Sequence, residues 1–287
     1  MPENREKQEA LHLADIRKTY FAGTVAVPVL KGVNYDIWRG EFIGIMGSSG
    51  SGKSTMLNIL GLLDKPTSGE YRLDGLDVSK MSDYELTRVR NIKIGFVFQA
   101  FNLFPHLTIL QNITLAPVKT GRKTRKEAEL EAAELLKRIG LYEKRSAYPQ
   151  QLSGGQKQRV SMAGVMIDDV DILLFDEPLA NLDPATGKRA IDLIDHIQKD
   201  NNVTIIIIEH RLEDALYRDV DRIIVVGDGQ IVADTTPDEL LAMDVLEQQG
   251  IREPLYLTAL KHAGCQITKE SRPCLLYTSP SPRDKRQ

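Results

Sequence analysis

Five short stretches of the chain are almost wholly apolar: Phe42 to Met46, Ile94 to Phe98, Ile172 to Phe175, Val203 to Ile208 and Arg222 to Val226. The last four are rich in β-branched or aromatic residues and continuous rather than alternating. That pattern predicts strands covered on both faces, as in a parallel sheet. Helical stretches separate them, which predicts a layered α/β architecture. Arg122 to Ile139 carries Ala128, Ala132, Leu135, Leu136 and Ile139 at helical spacing, and Gly140 stands where a C-terminal cap belongs. Earlier segments differ. Leu11 to Ile16 and Val29 to Ile37 read as half-exposed strands, and Asp74-Gly75 suits a tight hairpin. Together they predict a small antiparallel layer formed before and after the first long helix. Asp228-Gly229 marks a second hairpin. Thr236-Pro237-Asp238-Glu239 has the form of a capping box with Pro at the first helical position.

Composition narrows the classes. The 287 residues carry a net charge of −3, so no basic field points to nucleic acid. No apolar run approaches the roughly 18 residues of a membrane helix. The first ten residues are polar and charged, unlike a secretory signal. Cys265 and Cys274 both lie late in the chain and cannot frame a domain, and a reducing cytoplasm is the expected setting.

The strongest chemical signal is Gly47-Ser48-Ser49-Gly50-Ser51-Gly52-Lys53-Ser54, which matches G-x-x-x-x-G-K-[ST] between a predicted strand and a helix from Ser54 to Leu62. Glycines and small serines let backbone N–H groups curl round phosphates, and the helix N-terminus adds partial positive charge. Lys53 is expected to reach the β- and γ-phosphates. Ser54 is expected to ligate Mg²⁺, with Thr55 beside it on the nucleotide. Ile172-Leu173-Leu174-Phe175 ends in Asp176-Glu177. Beside a phosphate loop, Asp176 can hold Mg²⁺ and Glu177 can act as general base on the attacking water.

Leu152-Ser153-Gly154-Gly155-Gln156, followed by Lys157-Gln158-Arg159-Val160, resembles the signature of ABC transporter ATPases. The resemblance covers residues 11 to about 264. It implies a P-loop NTPase with a RecA-like core sheet, a small antiparallel β lobe and a helical lobe. The implied division is core and β lobe at 11–99 and 165–235, helical lobe at 100–164, and a helical extension at 236–264. Residues 265–287 are set apart as a non-native or disordered tail. The family order identifies Gln99 as a residue sensing Mg²⁺ or the attacking water and Asp183 as part of the loop facing a second subunit. It likewise makes His210 the histidine on the γ-phosphate and Tyr20 the aromatic that stacks on adenine. Ser153, Gly154, Gly155 and Gln156 would bind the γ-phosphate of a nucleotide held by a second ATPase subunit. The implied activity is ATP hydrolysis coupled to solute transport, with permease partners in the membrane and the chain at its cytoplasmic face. A relative acting on ribosomes would carry two cassettes where this chain has one phosphate motif, and a DNA-repair relative would carry a long insertion before the signature.

Stretches of the chain resemble different subfamilies. Leu11 to Phe98 is similar to lipoprotein-releasing and macrolide exporter ATPases. Phe101 to Pro149 is similar to polar amino-acid importers, through Phe101-Asn102-Leu103-Phe104-Pro105-His106-Leu107-Thr108. From about Ser161 the chain is similar to energy-coupling-factor importers.

Overall fold

The computed structural model describes residues 8–274, apart from 169, 181, 183–186, 189, 193, 196–197, 199–201, 218–219 and 272. Among the described residues the strands form two sheets. The first has the order β2-β1-β4-β5 and is antiparallel: β1 (Glu9–Ala22), β2 (Val25–Trp38), β4 (Ser68–Leu73) and β5 (Leu76–Asp77). The second has the order β10-β9-β3-β8-β7-β6, built from β3 (Phe42–Met46), β6 (Ile94–Val97), β7 (Ile172–Asp176), β8 (Thr204–Ile208), β9 (Arg222–Gly227) and β10 (Gln230–Thr235). Its strands run parallel except β10, which closes one edge as an antiparallel hairpin with β9. The predicted hairpin turns form. Asp74 and Gly75 have φ of 50° and 76°, and Asp228 and Gly229 have 45° and 76°, the paired positive values of a type I′ turn.

The continuous apolar runs split by parity, because side chains alternate across a sheet. Ile43, Ile45, Leu174, Ile206, Ile208, Ile224 and Val226 join one core with the antiparallel sheet and α1 (Lys53–Leu60). Phe42, Met46, Leu173, Phe175, Ile205, Ile207, Ile223 and Val225 pack into a second core on the other face. Each fully buried Ile or Leu contributes about 1.5–3 kcal/mol of transfer free energy, and this double coverage is why no polar alternation survives in the sequence. A third core joins α3 (Ile109–Lys119), α4 (Arg125–Arg138) and α5 (Gly154–Met166). The remaining long helix before them is α2 (Asp83–Lys93), opened by a Ser82–Glu85 capping box.

Several boundaries differ from the sequence reading. The strands β1 and β2 extend well past Ile16 and start before Val29. Their shared tip exposes Tyr20, Phe21, Val25 and Val27, so no burial pattern marks it. α4 begins at Arg125, not Arg122, because Thr124 caps it. Thr124 Oγ1 accepts from Glu127 N at 3.3 Å, and Glu127 Oε2 accepts from Thr124 N at 2.8 Å. Arg122 turns away to donate to Asn91 O and Asp168 Oδ2. The end of α4 follows the Gly140 expectation: Gly140 has φ 66°, its N–H reaches Lys137 O, and Leu141 N–H reaches Leu136 O. α1 starts at Lys53 and ends at Leu60, where Gly61 caps it. β6 ends at Val97 rather than Phe98.

The Asp228-Gly229 turn does more than close a hairpin. Gly229 N–H donates to Ser51 O at 3.0 Å, and Gly229 O accepts from Lys31 N at 2.8 Å. The turn thereby clamps the 47–53 loop against β2. A Cβ on Gly229 would lie 2.2 Å from Val29 O, with φ already at +76°. Gly229→Ala is expected to cost roughly 1–3 kcal/mol of stability by thermal melting.

Candidate active site

Four neighbouring strands bring the predicted residues to one edge of the parallel sheet. The order β3-β8-β7-β6, with Ile45 beside Ile208, Ile208 beside Asp176 and Phe175 beside Val97, aligns their carboxyl ends. The 47–54 loop follows β3, His210 follows β8, Asp176-Glu177 ends β7, and Gln99 follows β6. Ligands of open α/β sheets bind at this edge.

The loop curls tightly at its entry. A Cβ on Gly47 would lie 2.2 Å from Val226 O and 2.6 Å from Ser51 Oγ, so only glycine fits there. Ser48, Ser49, Gly50 and Ser54 are exposed, Thr55 is half-buried, and Ser51, Gly52 and Lys53 are buried. Ser51 Oγ is buried without a hydrogen-bond partner, an acceptor and donor left free inside the loop. Lys53 Nζ donates to Gly47 O and Ser48 O, both at 2.9 Å. Burial lowers the Lys53 pKa, while the negative charges of Glu177 and then Asp176 oppose that shift.

Glu177 stands between two partners. Gln99 Nε2 donates to Glu177 Oε2 at 3.1 Å, and His210 Nε2 lies 2.6 Å from Glu177 Oε1. Its backbone has φ 47°, rare for a residue with a Cβ. Burial raises the Asp176 pKa and neighbouring Glu177 adds to the rise, against the pull of His210 and Lys53. Glu177, His210 and Lys53 therefore all act on Asp176, and both carboxylates act on Lys53.

Tyr20 lies at the far end of β1. Its hydroxyl donates to Asp64 Oδ2 at 2.7 Å, and the Lys18 ammonium sits 4.8 Å from its ring centroid. Burial pushes the Asp64 carboxyl up, but Lys18, Tyr20 and the Lys65 N–H outweigh it and hold the group below its ordinary value. Tyr20 thus has a fixed hydroxyl and a half-open ring.

Ser153 to Gln156 are not joined to this cluster. Ser153 caps α5, accepting from Gln156 N at 3.4 Å, and Gln156 Oε1 accepts from Ser153 N at 3.0 Å. Ser153 is exposed, with Gly154 and Gly155 half-exposed beside it. Among the described residues no hydrogen bond or ion pair ties residues 153–156 to the phosphate loop or to Glu177. Asp183 lies outside the described residues.

The sequence reading missed three supporting features. One is the Asp228-Gly229 clamp on the loop. Another is the Lys18–Asp64 pair that holds Tyr20. The third is Glu209, which is 4% exposed and accepts from Leu179 N at 3.2 Å. Its signal was available: a carboxylate directly after an all-apolar strand and directly before His210 has little access to water.

The chain matches the family model described as ABC transporter over residues 30–180, and the model described as ATP-binding cassette cobalt transporter over residues 243–286. It is 48% identical over 257 residues to a protein of Photobacterium profundum named as a putative ABC transporter ATP-binding protein, an alignment covering 88% of this chain and 45% of that protein. The chain spans less than half the length of the curated relatives it matches. Among solved structures it is similar to the ATP-binding cassette MJ0796, determined as a post-hydrolysis dimer bound to ADP and Pi. The TM-score is 0.73 at 40% identity, covering 79% of this chain and 98% of that one. It is also similar to cbiO1 from Clostridium perfringens, described as part of the ABC transporter complex cbiONQ. There the TM-score is 0.75 at 29% identity, covering 89% of this chain and all of that one.

Proposed function

Because the chain belongs to the ABC transporter family, we propose that it binds Mg²⁺-ATP at the loop between β3 and α1 and hydrolyses it to energise solute transport across a membrane. The observation that carries this reading is the placement of Glu177, oriented by Gln99 and His210 beside Asp176 and within the field of Lys53. A carboxylate fixed from two sides can take a proton from a water attacking the γ-phosphate. The loop suits a polyphosphate: a tight cradle that a Cβ would fill at Gly47, an orphaned Ser51 hydroxyl, and a buried ammonium at a helix start. Ser54, Asp176 and Gln99 would hold Mg²⁺, which would offset negative charge on the phosphates. Gly47 through Thr55 would enclose the phosphates, and the open face of Tyr20 would stack on adenine.

The capped N-terminus of α5 would act on a second nucleotide. Ser153, the Gly154 and Gly155 amides and Gln156 offer anion-binding donors at a helix start, and among the described residues no hydrogen bond joins them to this chain's own phosphate loop. The partner they imply is another ATPase subunit, identical or related, with Asp183 facing it. The dimeric state of MJ0796 supports that arrangement. Among the described residues no helix is long and apolar enough to cross a membrane. Attachment at the cytoplasmic face would come through permease subunits, received near exposed Phe104 just past Gln99. Nucleic acid is not among the proposed partners.

The dimer is tested by Mg²⁺-dependent phosphate release at increasing protein concentration. Specific activity should rise with concentration. Ser153→Asp should cut it by roughly 100-fold, since a carboxylate would oppose the neighbour's γ-phosphate while still capping α5 well. Binding of ATP by a single chain should persist. Full activity of Ser153→Asp at concentrations where the protein is monomeric would remove the shared-site reading.

A further inference from the structure

We infer that Glu209 is a positioning residue for the hydrolytic carboxylate: it holds the turn after β7 so that Glu177 keeps its left-handed backbone and its place between Gln99 and His210. The inference rests on the proposed role of Glu177 and deepens it.

The geometry is a set of ties between two strand ends. Glu177 N–H donates to Ile208 O at 3.1 Å, joining the base's own backbone to the last residue of β8. Two residues beyond Glu177 and one beyond Ile208, Leu179 N–H donates to Glu209 Oε1 at 3.2 Å. Ala180 N–H closes the turn on Glu177 O at 3.2 Å. Glu209 is itself held in the sheet, its N–H directed at Ile45 O at 3.4 Å, on the strand that leads into the phosphate loop. Leu179 is 2% exposed and packs in the second core, so the turn is anchored by an apolar side chain and by a carboxylate at the same residue.

A residue with a Cβ at φ 47° is strained and persists only where its surroundings over-determine it. The Ile208 tie fixes one end of the turn. The Glu209 tie fixes the other. Without an acceptor at 209, the buried Leu179 N–H loses its partner, and the turn gains a reason to rearrange. The first casualty is the φ of Glu177 and with it the aim of the carboxylate. The phosphate loop is on a different strand and keeps Lys53 on Gly47 O and Ser48 O. Loss of Glu209 should therefore act on turnover rather than on ATP binding. Because His210 is the next residue, both the base and its histidine partner hang from one buried carboxylate.

The test compares Glu209→Leu, which keeps the bulk and removes the acceptor, with Glu209→Gln, which keeps an acceptor oxygen. Each is made in the parent chain and in a Glu177→Gln background. The expected result is kcat about tenfold lower for Glu209→Leu with KM for ATP within about twofold, and recovery to within about threefold of the parent for Glu209→Gln. In the Glu177→Gln background, Glu209→Leu should change the residual rate by less than about twofold, since its effect passes through the same carboxylate. A merely structural role would give the same tenfold loss in both backgrounds and would overturn the inference, as would a parental kcat for Glu209→Leu. If Glu209→Leu does not fold, Glu209→Ser gives the same readings, with a shorter side chain that leaves Leu179 N–H unserved. A Glu177→Gln chain that itself keeps parental turnover would defeat the functional reading, and this inference with it. A Glu177→Gln chain that is inactive beside a fully active Glu209→Leu would defeat the inference alone.

Discussion

Glu177→Gln is expected to lower ATP turnover by roughly two to four orders of magnitude while nucleotide affinity stays within a few-fold of the parent. The amide has the shape of the carboxylate, and its one oxygen can still accept from Gln99 Nε2, now 3.1 Å from Glu177 Oε2, while its NH2 would face His210 Nε2, now 2.6 Å from Oε1. It cannot accept a proton. The phosphate loop is untouched, so binding persists while the chemical step stalls. The accompanying expectation is a nucleotide-loaded dimer that outlives the parent's, visible by size-exclusion chromatography in Mg²⁺-ATP. Steady-state phosphate release decides the matter: turnover within tenfold of the parent would take the general-base role away from Glu177.

Lys53→Ala is expected to abolish measurable ATP binding, weakening it by at least about 100-fold in a calorimetric titration. Lys53 is buried at the helix start, with its ammonium on Gly47 O and Ser48 O. Its charge is what opposes the carboxylates of Asp176 and Glu177 at the same locus. Without it, an anionic ligand would meet two nearby carboxylates with no buried cation to offset them. The two carbonyls of the loop would also lose their shared donor. Lys53→Arg should fare little better, because a planar fork cannot replace a compact ammonium between two converging carbonyls. Retained affinity in the Ala variant would mean that the loop amides alone bind the nucleotide.

Much of the site was legible because its chemistry depends on local spacing. The 47–54 loop needs glycine and a lysine at set offsets between a strand and a helix, and that requirement is written in consecutive residues. Asp176-Glu177 and His210 follow apolar runs, so their place at strand ends could be read directly. Capping residues were local too: Gly140 ends α4 through its positive φ, as expected, whereas the start of α4 was misplaced because charged Arg122 and Lys123 look helical without being capped. Other features were hidden because they join distant segments. Gly229 clamps Ser51 from a hairpin far along the chain, Asp64 fixes Tyr20 from beyond α1, and Glu209 serves Leu179 across two strands.

The sequence by itself determined the element types, the phosphate loop and the order of reactive residues, since periodicity and backbone stereochemistry act between near neighbours. Only the tertiary structure decided strand order, the split of each apolar run between two cores, and the meeting of Gln99, Glu177 and His210. Those depend on which strands pair, and pairing is set by the burial of whole faces, a property that no short stretch of sequence carries alone.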